Sequence, residues 1–198
     1  MTRLILIRHG ETDWNRIGRV QGSTDIPLND TGREQARDAA AALRSHLDDA
    51  PVFLAASDLS RAAETATIIG AELGLGAPRL YADLRERAYG EAEGRTDVEF
   101  RARWGSWHSA QVPGAESRDQ LRTRALRGIR HVVRDARTLT APNPATVVAV
   151  AHGALIREVI DHASGGAFPP AGARLANGSA HVLLWERDRV RLLSSAAV

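Results

Sequence analysis

Two residue types that carry much of enzyme chemistry are missing from this 198-residue chain: it has no cysteine and no lysine, so all 26 basic residues are arginine. Without cysteine there are no disulfides and no thiolate nucleophile, which excludes thiol phosphatases and thiol proteases. Without lysine there is no Schiff-base chemistry and no P-loop of the form that ends in Lys-Ser/Thr. Long apolar runs are missing too. Nothing approaches the roughly 18 uninterrupted apolar residues of a membrane span. The N-terminal Leu4-Ile5-Leu6-Ile7 is too short for a signal peptide and has no small-residue cleavage site after it. A cytoplasmic protein with no membrane partner is the expectation. The 26 basic residues face 24 acidic ones, a formal net charge of +2, and no basic run interleaves with aromatics. Nucleic acid is therefore not an expected partner.

What is present is an alternation of short β-type apolar runs with alanine-rich helical periodicity. That pattern argues for an α/β fold, a three-layer α/β/α sandwich around a mostly parallel sheet. The length fits one domain over residues 1–198. Strands are expected at residues 4–7, 52–55, 79–82, 146–151, 181–185 and 190–193, the last two joined through Arg187-Asp188 as a hairpin. Helices are expected from a capping box, Thr31-Gly32-Arg33-Glu34, from Ser57-Asp58 to Gly74, from near Ser117 to Pro142, and over residues 154–163. Between about residues 90 and 117 the pattern reads as an inserted lid or rim, with Trp104 and Trp107 standing among arginines.

In open α/β sheets, ligands gather at the carboxyl ends of the parallel strands. Arg8-His9-Gly10, Ser57-Asp58 and His152-Gly153 all fall there. A single histidine after a strand is more often structural than catalytic. Two of them, each followed by a glycine that lets the chain turn and an anion approach main-chain N–H groups, point to one crevice. Guanidinium forks match phosphoryl oxygens bidentately, which makes Arg8 and Arg61 natural clamps. The competing reading of Arg61 is an ordinary solvated helix arginine.

Leu6-Ile7-Arg8-His9-Gly10-Glu11-Thr12-Asp13-Trp14-Asn15 resembles the opening motif of the histidine phosphatase superfamily, which includes the phosphoglycerate mutase-like enzymes. The resemblance continues through Gln21-Gly22, Thr31-Gly32-Arg33-Glu34-Gln35-Ala36, the segment from Ser57 through Arg61 to Ala66, Leu84-Arg85-Glu86, the block from Pro113 to Ser117, and Val150-Ala151-His152-Gly153. It covers nearly the whole chain in order. It implies a phosphoglycerate mutase-like fold with His9 as the residue phosphorylated. Arg8, Arg61, His152 and Gly153 would form the phosphate pocket, Asn15, Gln21 and Gly22 would complete it, and Glu86 would be the acid/base carboxylate. No metal and no other cofactor is implied, because arginine and imidazole do the charge work.

Hydrolase and mutase share this chemistry and differ in what meets the phosphoenzyme. The Pro-Gly-Ala-Glu-Ser block at residues 113–117 resembles the phosphatase branch, although Ala92 and Ala115 depart from its pattern, and the lysine of the mutases is missing. The reading is an acid-type histidine phosphatase, a phosphomonoester hydrolase acting on a small phosphorylated metabolite. Phosphoglycerate mutase is the alternative, and a silent phospho-ligand binding protein is the more distant one. Arg118, Arg122 and Arg124 are candidates for recognising a substrate carboxylate, and Trp104 and Trp107 for lining an apolar or sugar subsite. A homodimer is the commonest assembly for such a chain.

Overall fold

Successive side chains of a strand point to opposite faces, so a strand that is apolar at every position must be covered on both sides. A computed structural model, which describes residues 1–47, 50–107, 109–170, 172–187 and 189–195, meets that demand with helices above and below one sheet. In chain order the elements are β1 (Thr2–Arg8), α1 (Asp13–Arg16), α2 (Asp30–Leu43), β2 (Val52–Ala56), α3 (Ser60–Leu73), β3 (Arg79–Leu80) and α4 (Asp97–Trp104). There follow α5 (Arg118–Thr140), β4 (Thr146–Ala151), α6 (Gly153–Ala163), β5 (Ala180–Trp185) and β6 (Val190–Ser195).

The six strands lie in the order β3-β2-β4-β1-β5-β6, and β5 alone runs against the others. Alternation sorts the sheet's side chains into two cores. Leu4, Leu6, Phe53, Val147 and Ala149 pack on Leu121, Ile129, Val132, Leu155 and Val159 of α5 and α6. Ile5, Ile7, Leu54, Val148 and Val150 pack on Ala40, Leu43, Ala62, Ala66 and Ile69 of α2 and α3. Strand β4 is buried at all six positions, and each Val it hides contributes roughly 1.5–3 kcal/mol. The expected three-layer α/β sandwich with a mostly parallel sheet is therefore the observed one. Among the described residues, no helix is long and apolar enough to cross a membrane.

Several helix starts differ from expectation, each for a local reason. Helix α2 is capped by Asn29, whose side chain accepts from the Gly32 amide, rather than by Thr31. Helix α3 starts at Ser60, three residues later than expected, and has no cap from its own Leu59. Asp25, 35 residues upstream, accepts from both the Ser60 amide and its hydroxyl (2.9 and 2.7 Å) and performs that task. The span after residue 90 is not wholly irregular. Thr96 and Glu99 form a capping box that opens α4, a short helix with one buried residue, Phe100. In the β5–β6 connection, Glu186 N–H donates to the Arg189 carbonyl (2.8 Å), while Asp188 lies outside the described residues.

Two close packings yield predictions. A Cβ on Gly32 would lie 2.1 Å from the Glu11 carbonyl oxygen. Gly→Ala inside a helix ordinarily gains up to about 1 kcal/mol, but here backbone overlap outweighs it. Gly32→Ala is expected to cost roughly 1–3 kcal/mol, read as a lower urea midpoint, and a raised midpoint would contradict the packing. His181 is fully buried on β5 between the Ser179 and Ser195 hydroxyls (3.1 and 3.0 Å). Burial lowers its pKa from 6.5 to about 4. The unfolded chain binds this proton below pH 6.5 and the folded chain does not until about pH 4. The stability it contributes is therefore complete above that window and lost as pH falls through it. The urea midpoint of His181→Asn is expected to fall less steeply than that of the parent across this range.

Candidate active site

The register of the sheet brings the two histidines together. Strand β1 pairs in parallel with β4 so that Arg8 faces Ala151, and the next residue of each chain is a histidine. The His9 amide donates to the Ala151 carbonyl (3.0 Å), which extends the ladder one step past the strand. The rings of His9 and His152 lie 5.1 Å apart between centroids, tilted by 58°, and both are buried. Asn177 fixes the His9 backbone from the other side, its Nδ2 donating to the His9 carbonyl (2.9 Å). Thr65 of α3 accepts from the Gly10 amide (3.1 Å) and donates to the Arg61 carbonyl (2.7 Å). One buried hydroxyl thus ties the His9 turn to the helix that carries Arg61.

The protonation state of His9 follows from its partners. Its Nδ1 lies 2.7 Å from the Gly10 carbonyl oxygen, which can only accept, so Nδ1 carries the proton and Nε2 keeps its lone pair. Burial, with Arg8 and Arg61 alongside, holds His9 well below the ordinary 6.5. The ring is neutral at neutral pH, as an attacking nitrogen must be. Burial also holds His152 low, reinforced by His9 and the same arginines. Desolvation lowers Arg8 and Arg61 from the ordinary arginine value, yet a guanidinium keeps its charge in proteins.

Arg61 is fully buried and reaches back to the loop after β1. Its Nη1 and Nη2 donate to the carbonyls of Thr24 and Gly22 (2.9 and 2.8 Å). Arg8 Nη1 donates to the Leu175 carbonyl. After these bonds, four buried side-chain atoms among the described residues have no protein partner: Arg8 Nε, Arg61 Nε, and both ring nitrogens of His152. A cavity of about 170 Å³ opens beside them, lined by Arg8, His9, Asn15, Gln21, Arg61 and Glu86, with Tyr89 and Trp107 on its rim. The Thr12 hydroxyl lies 3.2 and 3.0 Å from the side-chain carbonyl oxygens of Asn15 and Gln21. Its single proton serves one of them at a time, and Asn15 Oδ1 also accepts from the Thr12 amide (3.3 Å) and from Asn177 Nδ2 (3.2 Å), so both amide oxygens face protein donors and the NH₂ groups are available to a ligand. The wall thus offers donors and positive charge, the environment of an anion.

Among the described residues, Glu86 is the one carboxylate on that wall. Its oxygens accept from the amides of Arg87 (2.9 Å), Ala154 (3.1 Å) and Leu155 (3.2 Å). The last two belong to the first turn of α6, where unpaired N–H groups and the helix dipole favour an anion. Neither flanking arginine pairs with it. Arg85 binds Asp58 bidentately (2.7 Å for both bonds) and Arg87 donates to the Glu116 carbonyl.

The structure therefore brings Arg8, His9, Asn15, Gln21, Gly22, Arg61, Glu86 and His152 to one place. Gly153 packs on Arg8, where an added Cβ would lie 3.4 Å from Nε, and lines an outer vestibule of about 680 Å³ that it shares with Arg8, Glu86, Arg157, Arg174 and Asn177. The arginines of α5 serve other ends. Arg118 and Arg122 both bind Glu158 of α6 (2.6 and 2.8 Å), and Arg124 binds Glu116 (2.7 Å) and the carbonyls of Asp83, Arg85 and Glu86. They lock α5 to α6 and to the Glu86 segment. Of the two tryptophans, Trp107 lines the cavity while Trp104 packs against Phe100. Trp107 stacks on Phe100 (3.4 Å, 4°) and its Nε1 donates to Asp97 (2.6 Å). Sequence reasoning missed Arg19, Tyr89 and Asn177, although Tyr89 stands three residues after Glu86 in the same block.

Comparison with known proteins agrees with this geometry. The chain matches the model of the histidine phosphatase superfamily (branch 1) over residues 4–197. It is 34% identical over 192 residues to a Bacillus subtilis (strain 168) protein named uncharacterized phosphatase PhoE, covering 97% of this chain and 93% of that one. It is 31% identical over 168 residues to the metal-independent phosphoserine phosphatase of Arabidopsis thaliana, covering 80% of this chain and 67% of that one. A solved mycobacterial glucosyl-3-phosphoglycerate phosphatase in complex with VO3 superimposes over 100% of both chains, with a TM-score of 0.84 and 31% identity. With the matched region running almost from end to end, the chain belongs to the histidine phosphatase superfamily, branch 1.

Proposed function

We propose that the protein is a phosphomonoester hydrolase that works through a phosphohistidine on His9. The observation that carries this reading is the set of four unpartnered buried atoms on Arg8, Arg61 and His152, which converge beside a neutral His9. Phosphoryl oxygens would accept from the Nε–H groups of Arg8 and Arg61 and from the one N–H of the neutral His152 ring. In the first half-reaction, His9 Nε2 bonds to phosphorus as the ester P–O bond breaks in line. Arg8, Arg61, His152 and the Asn15 and Gln21 amides hold the charge spread over the equatorial oxygens. Glu86 serves as the acid that gives a proton to the departing alkoxide. In the second half-reaction, Glu86 takes a proton from water as that water's oxygen attacks phosphorus and the N–P bond breaks. Inorganic phosphate leaves and the enzyme returns to its starting state.

The substrate class is a small phosphorylated metabolite. Support comes from the size of the cavity and from relatives named for phosphoserine and for glucosyl-3-phosphoglycerate. Hydrolysis is preferred to isomerisation because water reaches the site through the open vestibule and no lysine serves the rim. Arginine and imidazole supply the positive charge, so no step calls for a metal.

A panel of phosphomonoesters, assayed for free phosphate and for interconversion of 2- and 3-phosphoglycerate, tests the reading. Phosphate release is expected, and fast isomerisation with little release would overturn it. His9→Ala is expected to lose about 10⁴-fold or more in kcat, with acid-labile phosphate on His9 absent from its mass spectrum. Glu86→Gln is expected to lose about 10²–10⁴-fold in kcat on alkyl phosphates. With p-nitrophenyl phosphate, whose leaving group needs no proton, the same variant is expected to accumulate phosphohistidine because the water-activating step is then the impaired one. Activity should persist in excess EDTA, and reversible loss on chelation would refute the charge assignment.

A further inference from the structure

Arg61 is aimed by two carbonyls, those of Gly22 and Thr24, and those carbonyls sit on a loop outside any helix or strand. Something must hold the loop. Backbone bonds between Val20 and the Gly94–Arg95 segment (2.9 and 2.7 Å) anchor it on one side and Asp25 on Ser60 on the other; between those anchors the restraint comes from one side chain, Glu93. Glu93 Oε1 accepts from the amide and hydroxyl of Ser23 (2.9 Å each), and Oε2 accepts from the amide (2.9 Å) and hydroxyl of Thr24. Oε1 also accepts from the Tyr89 amide (3.0 Å), which joins the same carboxylate to the opposite wall of the cavity. Gly22 itself has φ of +59°, and a Cβ there would fall 2.1 Å from Glu93 Oε1. The loop is thus folded tightly over the carboxylate.

We infer that Glu93 is a positioning residue for phosphoryl transfer: it sets the Gly22–Thr24 carbonyls that aim Arg61, and through the Tyr89 backbone it fixes the distance between the two walls of the pocket. This rests on the proposed phosphatase reading. Glu93 touches no substrate and lies outside the set of residues that line the cavity. Its form suits the task, since an ionised carboxylate accepts up to about four hydrogen bonds and here five donors compete for it. Partial burial raises its pKa, but the donors from Thr24, Ser23 and Tyr89 outweigh that and hold it below its usual value. The restraint therefore persists through the neutral range. A glutamine at 93 would turn an NH₂ group toward backbone N–H groups and would release at least one arm of the loop.

The test is a double-mutant cycle with Arg61, read on binding of vanadate, a phosphoryl mimic, by quenching of tryptophan fluorescence. In the parent background, Glu93→Gln is expected to weaken vanadate binding about tenfold, with kcat falling more than KM rises, while Arg61→Ala weakens binding about a hundredfold. In the Arg61→Ala background, Glu93→Gln should add less than about twofold, because its effect passes through the missing guanidinium. Independent effects, or no effect of Glu93→Gln on the parent, would overturn the assignment. If Glu93→Gln does not fold, as judged by circular dichroism, Thr24→Val enters the same cycle: it removes one donor to Glu93 but keeps the carbonyl that binds Arg61, and it must show the same dependence on Arg61. Failure of the parent to bind vanadate at all would instead refute the phosphate-pocket reading on which the inference stands.

Discussion

A guanidinium taken fully out of water must find hydrogen-bond acceptors for its donors, since an isolated buried charge costs many kcal/mol. Arg61 is in that position with no carboxylate in contact among the described residues. Much of the active end of the molecule follows from the solution adopted. Two backbone carbonyls supply acceptors without neutralising the charge, so the positive field remains available inside the cavity. Had a glutamate paired with Arg61 directly, the cation would have been stable but spent. Burial keeps His9 and His152 neutral, and the same field adds to it by raising the cost of a further proton nearby. The neutral imidazoles and the uncompensated guanidinium are therefore products of the same burial.

The acidic side chains around the site fit this scheme by standing one step away. Asp25 caps the helix that carries Arg61, Glu93 grips the loop that Arg61 binds, and Asp58 holds Arg85 beside Glu86. Each acts on backbone or on another arginine, and none quenches the cavity. Arginine suits a chain built this way. Its planar fork binds several carbonyls at once, as Arg124 does with the Asp83, Arg85 and Glu86 carbonyls, which the point charge of a lysine cannot do as well.

How far the sequence revealed this depends on the range over which each signal acts. The strands were legible because their apolar runs are contiguous, and α5 because the Ser117–Gln120 capping box and the long apolar stripe are both local. The start of α3 was not, because its cap comes from Asp25 across 35 residues. Helix α4 was passed over although Thr96 and Glu99 make a proper box, since one buried Phe100 in eight residues gives almost no periodicity. At the site, His9, His152, Arg8 and Arg61 could be grouped by their place at strand ends, and Glu86 by resemblance alone. Tyr89, Asn177 and Glu93 carry no such mark. Their importance lies in what their backbone amides or side chains meet in space, and nothing in the neighbouring residues encodes that meeting. The arginines of α5 show the converse: their charge invited a substrate, and buried Glu158 claimed two of them.

Helix α6 has His152 at its head, and the amides of its next turn hold both oxygens of Glu86. His152 and Glu86, the proposed phosphate contact and the proposed proton carrier, thus share one mount. A shift of the helix along its axis carries both in the same direction, so their separation is insulated from the breathing of the domain. A machinist would recognise the arrangement as two tools referenced to one datum, in which the error of the part matters less than the stiffness of the bar.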